Sequence, residues 1–176
     1  MASYKLKIGD TWIADETAIK FNNQLYWLWD IIDKETRFLL ASYLSEHRGT
    51  HEAQRLMELA AKRARRIPKT VITDKLAAYL DGIEITFGAD TDHIQSSPFA
   101  SEDSTNAIER FQGTIKERTK VIRGFKTFET ALIIIDGFLI HYNFFKPHLS
   151  LGKTPAEQAG LKLPFKTWTE FVRMDK

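Results

Sequence analysis

The sequence contains no cysteine, so disulfide bonds and thiolate chemistry are excluded. His47 and His51 have a spacing compatible with a metal, but without cysteine or a third nearby ligand we expect no zinc site. Long apolar runs are also missing. The longest, residues 131–140, is interrupted by Asp136 and is far shorter than the roughly 20 residues that span a membrane. Residues 1–5 contain no apolar signal region, so we expect a cytoplasmic protein without an anchor.

The chain is about one domain long, with 176 residues, and its 43% hydrophobic and 27% charged residues are typical of a globular protein. The net charge of +2 is too small to indicate nucleic-acid binding, but the charge is unevenly distributed. Residues 62–69 and residues 110–126 each carry +5. Such segregation is typical of a polyanion-binding face, although a basic run is also common on a solvated helix face.

The first half of the chain changes from a strand pattern to a helix pattern. Residues 11–14, 24–33 and 38–44 are β-prone and separated by short turns, which predicts an antiparallel meander. Residues 50–66 have the three-and-four spacing of an amphipathic helix, with Thr50 as a possible N-cap and Pro68 as its stop. Residues 69–73 then predict a buried strand that ends before Asp74.

The second half is predicted to be mainly helical. We predict a brief helix at residues 75–80, a strand at 83–87 and a loop over 90–103. A helix begins after Ser104 or Thr105 and runs to residue 118, and a long helix at 128–145 is predicted to lie in the core. This order predicts an α/β fold: a mixed five-stranded sheet, three antiparallel strands and then parallel additions, flanked by helices.

Three acidic residues point to a metal site, because Asp15 and Asp74 each end a predicted apolar strand and Glu109 lies on a predicted helix. If the two strands are neighbours and the helix crosses their ends, the three carboxylates converge. Cutting or joining a phosphodiester requires stabilised negative charge on the attacking and leaving oxygens, which two divalent ions about 3.5–4 Å apart provide. Mg²⁺ prefers oxygen ligands. In this interpretation Asp15 bridges the ions, and Asp74 and Glu109 each bind one side.

Each acid also has a simpler interpretation. Asp15 can be a surface turn residue, with the adjacent Glu16 as a rival ligand. Asp74 can cap the helix that follows it. Glu109 can pair with Lys116 on a solvated helix face, since seven residues place the two side chains two turns apart on one side.

Several segments in order resemble the DDE transposase and integrase superfamily, and more narrowly the IS-six group of prokaryotic insertion-sequence transposases. They are WIADET (12–17), TDKL (73–76), NAIER (106–110), IKERT (115–119), GFKTFE (124–129), KPHLSLG (146–152) and TPAE (154–157). The similarity spans roughly residues 11–160. Two positions depart from the narrower group: Thr105 stands where a second asparagine is usual, and Gln112 where histidine is frequent.

The resemblance implies an RNase H-like fold in which Asp15, Asp74 and Glu109 form an acidic triad that binds Mg²⁺ or Mn²⁺, with two ions expected. It also implies that Lys116 contacts the transposon-end DNA. The further side chains expected at the DNA are Lys75, Asn106, Arg110, Arg118, Lys120, Arg123 and Lys126.

The expected function is metal-dependent cleavage and strand transfer on transposon ends and target DNA, by a homodimer because two DNA ends must be brought together. We expect an N-terminal extension (1–10), a catalytic core (11–160) and a C-terminal tail (161–176). Only 14 residues precede Asp15, which is too few for a helical end-recognition domain. Two alternatives therefore stay open: a non-catalytic DNA-binding remnant or domesticated core, and an RNase H-like nuclease on RNA–DNA hybrids.

Overall fold

A computed structural model describes residues 6–21, 23–96, 105–121 and 127–174, except for the side chains of residues 21 and 118–121. Its strands are β1 (Thr11–Phe21), β2 (Gln24–Asp33), β3 (Leu39–Ser45), β4 (Thr70–Thr73) and β5 (Asp92–Gln95). Its helices are α1 (Thr50–Ala64), α2 (Ala77–Phe87), α3 (Asn106–Val121), α4 (Phe128–Ile140), α5 (Pro155–Gln158) and α6 (Trp168–Arg173). A 3₁₀ turn (Gly88–Asp90) follows α2, and a π-helical turn (His141–Phe145) follows α4.

The five strands form one mixed sheet in the order β3-β2-β1-β4-β5. The β1-β2-β3 pairs are antiparallel, whereas β4 pairs in parallel with β1 and β5 in parallel with β4. The predicted mixed sheet is therefore confirmed. The β1-β2 connection includes Asn23 at φ 59°, a left-handed conformation that asparagine tolerates better than most residues.

Alternating side chains divide the core between the two faces of the sheet. Trp12 and Ala14 of β1 pack on one face, in a cluster that also contains the buried residues of α1, α2 and α5. Ile13 of β1 and Ile72 of β4 pack on the other face, with the buried residues of α3 and α4. The sheet is thus covered on both sides, and its strand ends are the places where polar side chains can meet.

Strand β1 is longer than predicted, because it runs to residue 21 and not to residue 14. The segment after Ala14 begins with two acids and lacks an apolar run, but it pairs with β2 along its whole length. Asp15 consequently lies inside β1, and the expectation that it ends a strand is wrong.

The region after β4 contains the largest error of secondary structure. The predicted helix at 75–80 and strand at 83–87 are one helix, α2, in which Tyr79, Ile83 and Phe87 are buried at four-residue spacing. The last strand, β5, lies at 92–95 in a segment predicted as loop, since its partly exposed sequence DHIQ carries no apolar alternation.

Helix boundaries differ from the predictions by a few residues. The N-cap of α1 is Gly49 and not Thr50, because the Glu52 carboxylate accepts the Gly49 N–H at 3.0 Å, and α1 ends at Ala64. Helix α3 begins at Asn106, after Thr105, whose carbonyl accepts the N–H groups of Ile108 and Glu109. Ser104, the other predicted cap, lies outside the described residues.

The predicted helix at 128–145 is α4 and its π-helical turn, but its assignment to the core is wrong. Within α4 only Ala131 and Ile135 are buried, and Ile133 is 72% exposed. Asn143 attaches the π-helical turn to edge strand β3, accepting the Leu39 N–H at 2.9 Å and donating to the Leu39 carbonyl at 3.0 Å. By length and composition alone Phe128–Phe145 is also apolar enough to cross a membrane, although the buried side chains of α4 pack on the sheet.

Candidate metal and nucleic-acid site

Asp15 and Asp74 lie at equivalent heights on neighbouring parallel strands. The β1-β4 register pairs Ile13 with Ile72, and each acid follows two residues later. With a side-chain period of two, both carboxylates project from the face that α3 covers. Asp74 comes directly after β4, where the two strands stop pairing.

These two carboxylates meet a third one. One oxygen from each of Asp15, Glu16 and Asp74 lies within 4.8 Å of the others, and we call this set the carboxylate group. The predicted capping interaction of Asp74 is also present in part, because Asp74 Oδ1 accepts the Leu76 N–H at 2.9 Å just before α2. That bond orients the Asp74 side chain and uses one of its two oxygens.

The pKa of Asp15 reflects its burial and the negative charge around it. Burial first, and then the charges of Glu16, Asp74 and Glu109, together raise it to about 8, against one lowering contribution from the Glu16 backbone. Like-charged neighbours favour the neutral carboxyl group unless a cation is present. Oxygen donors that repel one another in this way fit a hard divalent cation.

Glu16 is held at one oxygen only. Arg48 donates to Glu16 Oε1 through Nε, at 2.7 Å, and through Nη2, and its guanidinium lies 4.5 Å from the centroid of the Trp27 ring. Glu16 Oε2 is buried and has no hydrogen-bond partner among the described residues. An orphaned buried carboxylate oxygen beside Asp15 and Asp74 is what a cation ligand set would contain. Nearby, burial and the charges of these acids raise the pKa of Tyr79 well above its usual range.

Glu109 approaches the group from α3 but does not belong to it. Its exposed side chain accepts a 2.6 Å hydrogen bond from the Thr105 hydroxyl group. Its charge still contributes to the raised pKa of Asp15. The structure therefore brings Asp15 and Asp74 together and places Glu109 at the margin of the same charged region.

A fifth carboxyl group, that of Asp30, attaches α3 to the sheet next to this site. Asp30 of β2 is the cross-strand partner of Asp15 and is fully buried. It accepts a 2.5 Å bond from Ser42 and a 3.3 Å bond from Gln112, which lies one turn after Glu109 on α3. Burial raises the pKa of Asp30 to about 7. Gln112, noted as a departure from the narrower group, thus helps to position the helix that carries Glu109.

Four of the predicted DNA-binding side chains are described, and all four are exposed to solvent: Lys75, Asn106, Arg110 and Lys116. Helix α3 is continuous from Glu109 to Lys116, which is necessary for these two residues to share one helix face. Arg118 and Lys120 lie in α3, but their side chains are outside the described part, as are Arg123 and Lys126 entirely.

The first basic segment, residues 62–69, has structural contacts that the charge pattern did not predict. Arg66 donates to the Ile8 carbonyl at 3.0 Å and pairs with Asp10, and the Lys69 ammonium lies 2.8 Å from Asp10. Two of its five cations therefore tie residues 8–10 to the end of α1.

Glu16 and Arg48 are the site residues that sequence reasoning did not assign. The sequence indicates Glu16 only as an alternative ligand to Asp15. In the structure both acids belong to the carboxylate group, which lies where β1 and β4 stop pairing. Arg48 is 32 residues from Glu16, and no local pattern connects them. A cleft of about 350 Å³ along β3 contains none of the site carboxylates.

Comparisons with known proteins agree with this fold. A family model for the DDE domain of IS240-type transposases matches residues 9–148. A simian T-cell lymphotropic virus intasome, in complex with PP2A regulatory subunit B56 gamma, matches with TM-score 0.68 and 17% identity over 93% of this chain and 59% of that chain. The HTLV-2 integrase catalytic core domain in complex with magnesium, in its trimeric form, matches with TM-score 0.66 and 17% identity over 86% of this chain and 97% of that chain.

The dimeric form of the HTLV-2 domain matches with TM-score 0.64 and 14% identity, over 88% of this chain and 98% of that chain. At these identities the solved structures show the integrase-core, RNase H-like fold alone. This chain spans only about 59% of the intasome chain that it matches. No curated protein matches the sequence.

Proposed function

This chain belongs to the family of DDE domains of IS240-type transposases, and from that membership we propose that Asp15, Asp74 and Glu109 bind divalent metal for cutting and joining DNA. It is a transposase catalytic domain of a family that acts on DNA. The observation that carries the proposal is the placement of Asp15 and Asp74 at matching heights of neighbouring parallel strands, with their oxygens and one of Glu16 within 4.8 Å.

The residues fit Mg²⁺ or Mn²⁺, and the HTLV-2 domain of the same fold is described in complex with magnesium. Two bound ions would stabilise the negative charge that develops on the attacking and leaving oxygens of the phosphodiester. Asp15 has carboxylate neighbours on both sides and is the candidate bridging ligand. Glu16, fixed by Arg48, is a further candidate ligand through its free oxygen Oε2.

The chain's other residues hold this ligand set in place and bind the DNA. The Leu76 N–H orients Asp74, and the Asp30–Gln112 bond fixes the part of α3 that carries Glu109. Exposed cations on α3, beginning with Arg110 and Lys116, would meet DNA phosphates, since cations at the surface provide most of the sequence-independent affinity for DNA.

Nicking of supercoiled plasmid DNA in Mn²⁺ or Mg²⁺ tests the proposal. We expect Asp15→Asn, Asp74→Asn and Glu109→Gln each to lower the nicking rate by at least about 100-fold, because each removes a metal ligand. The matched control is Asp136→Asn, which removes an exposed carboxylate on α4 and should leave the rate unchanged. Equal activity of the parent and the Asp15 or Asp74 variant would show that these residues are not metal ligands.

The same assay separates the two alternatives. Salt-sensitive DNA binding without metal-dependent nicking or joining would indicate a non-catalytic remnant. Faster cleavage of an RNA–DNA hybrid than of DNA would indicate an RNase H-like nuclease.

We further propose residues 11–160 as the catalytic core and a homodimer as the active form, because strand transfer must hold two DNA ends together. The HTLV-2 integrase catalytic core domain is known in dimeric and trimeric forms, which is consistent with association of this fold. Analytical ultracentrifugation with and without DNA tests the oligomeric state, and a monomer under both conditions would contradict it.

A further inference from the structure

A second cleft, with an apolar floor and charged side chains among its walls, lies on the far side of α3 from Glu109. Its volume is about 240 Å³, and its walls come from α3, from the π-helical turn and from the segment that follows that turn. The polar and charged lining includes Arg110, Tyr142, Lys146, His148 and Ser150, and no acidic side chain lines it. We call it the KPH cleft, after Lys146, Pro147 and His148.

The cations of the KPH cleft are not neutralised within the described part of the chain. Elsewhere Arg48, Arg66 and Lys69 are each paired with a carboxylate, whereas Arg110 and Lys146 form no ion pair there. Both side chains are exposed. Burial lowers the pKa of His148, and the positive charges of Arg37, Lys146 and Arg110 lower it further. Positive charge therefore gathers at this cleft, and no carboxylate of the described protein lies within ion-pair distance of Arg110 or Lys146, which favours an anionic ligand.

Between Glu109 and the cleft, α3 has one position without a side chain, Gly113. At 100° per residue, Gly113 lies between Glu109 and Arg110 around the helix, roughly 40° from the first and 60° from the second. A glycine inside a helix is unfavourable relative to alanine. Here no packing requires it, because a Cβ at Gly113 would meet no described atom within 4 Å. A polymer strand can therefore cross α3 at Gly113 close to the helix backbone.

We propose that the KPH cleft is a phosphate-binding subsite for a DNA strand that crosses α3 at Gly113 on its way from the carboxylate group. Lys146 and His148 join Arg110 in binding its backbone phosphates. The proposal rests on the proposed function, since it takes DNA as the ligand. It extends the predicted DNA contacts, of which Arg110 is one, to Lys146 and His148, at a motif whose side chains had no assigned role.

Lys146→Gln in the full chain tests the cation, with Lys162→Gln as the matched control. Lys162 is an exposed lysine between Leu161 and Leu163, which pack against the core cluster on the opposite face of the sheet. The probe is mixed-sequence DNA, as duplex and as single strand, titrated at several salt concentrations. Loss of one phosphate contact should weaken binding about five- to eightfold at 0.1 M salt and reduce the salt slope by about 0.7–0.9. Lys162→Gln should change neither quantity to that extent.

Gly113→Gln tests the path across α3, with Gly137→Gln as its control. Both substitutions replace a helical glycine whose added Cβ meets no described atom, so neither should lower the melting temperature. Only the side chain at position 113 would stand in the path of the strand, and only that variant should bind DNA less tightly. The Mn²⁺-induced shift in melting temperature should be the same in all four variants and the parent.

The outcomes distinguish the two proposals. If the parent binds DNA and Mn²⁺, but Lys146→Gln and Gly113→Gln behave like their controls, the KPH subsite is refuted and the proposed function stands. If the parent binds neither DNA nor Mn²⁺, both proposals fail.

Discussion

Asp15 is the residue at which the charge of the site is concentrated. With its pKa raised to about 8 by burial and by Glu16, Asp74 and Glu109, it holds a proton at neutral pH when no cation is present. Binding of a divalent cation at the proposed ligand set would displace that proton, so we expect affinity for the metal to increase as the pH rises toward 8. The repulsion among the carboxylates would therefore make metal binding dependent on pH.

The pKa of Asp30 is also raised by burial, although Asp30 is not a proposed metal ligand. This shift predicts how the stability of the protein depends on pH. The folded-state pKa of Asp30, about 7, exceeds the usual aspartate value, so its contribution to stability is present at low pH and is lost as the pH rises toward 7. Asp30→Asn imitates the neutral form. We expect the variant to gain stability over the parent between pH 5 and pH 8, by roughly 1–3 kcal/mol, in urea unfolding.

The control for this experiment is Asp136→Asn, at an exposed position where a pH-dependent gain is not expected. The asparagine at position 30 can still accept the Ser42 hydrogen bond, and the Gln112 amide can turn to accept from it. A difference between Asp30→Asn and parent that is constant with pH would mean that Asp30 is not the titrating group.

At the scale of elements, α1 and α2 approach each other at Gly82. A Cβ there would lie 2.7 Å from the Ala53 Cβ and 2.8 Å from the Gln54 backbone nitrogen, so the helices would have to separate. We expect Gly82→Ala to destabilise the protein by about 1–3 kcal/mol despite alanine's better helix propensity. Gly137→Ala on α4, where the Cβ meets no described atom, should be neutral or stabilising by up to about 1 kcal/mol. Thermal unfolding of both variants measures the contrast.

The elements that could be predicted are those whose pattern matches their packing. Strand β2 was predicted with its observed bounds, and α1 and β4 within two residues, because the two strands are apolar on both faces of the covered sheet and α1 buries one regular stripe of side chains. Helix α2 was misread because its β-branched residues favour a strand locally, while packing against α1 and the sheet selects the helix. Strand β5 is defined by its parallel partner β4 and not by its own composition.

The candidate site, like the secondary structure, could be predicted from the sequence only in part. Asp15 and Asp74 could be found because each follows an apolar strand segment, and parallel pairing of those strands brings them together. The Glu16–Arg48 pair, the Asp30–Gln112 bond and the Asn143–Leu39 bonds join residues 32, 82 and 104 positions apart. Such contacts depend on the assembled fold, and a pattern within one segment carries no information about them.

At the scale of the whole molecule, the segment before β1 packs on the same core as α5 and the residues that follow it, Leu161 and Leu163. Ile8 is buried in the first core cluster together with Ala156 and Ala159, and the Lys7 N–H donates to the Ala159 carbonyl at 2.9 Å. Arg66 and Lys69 fix the neighbouring Asp10. The proposed core at 11–160 is therefore joined by contacts to the segments on both sides of it.

The stability of the whole chain should depend on pH and metal together. Asp15 and Asp30 have raised pKa values, so the metal-free protein loses stability as the pH rises through about 7 and 8. The lowered pKa values of His93 and His148 make stability increase with pH, but only below pH 6.5, the usual histidine pKa. Between pH 7 and pH 8 the change in stability is therefore expected to come from the two carboxyl groups.

We expect urea unfolding with EDTA to give a lower free energy of unfolding at pH 8 than at pH 7. Saturating Mn²⁺ should reverse this trend, adding about 2.7 kcal/mol at 100 times its dissociation constant, because the cation binds the deprotonated carboxylates of the folded chain only. Asp15→Asn should be more stable than the parent in EDTA at pH 8 and should gain little from Mn²⁺. If instead the Asn variant gains as much from Mn²⁺ as the parent does, Asp15 is not a ligand. In that case the ion that stabilises the fold is bound elsewhere.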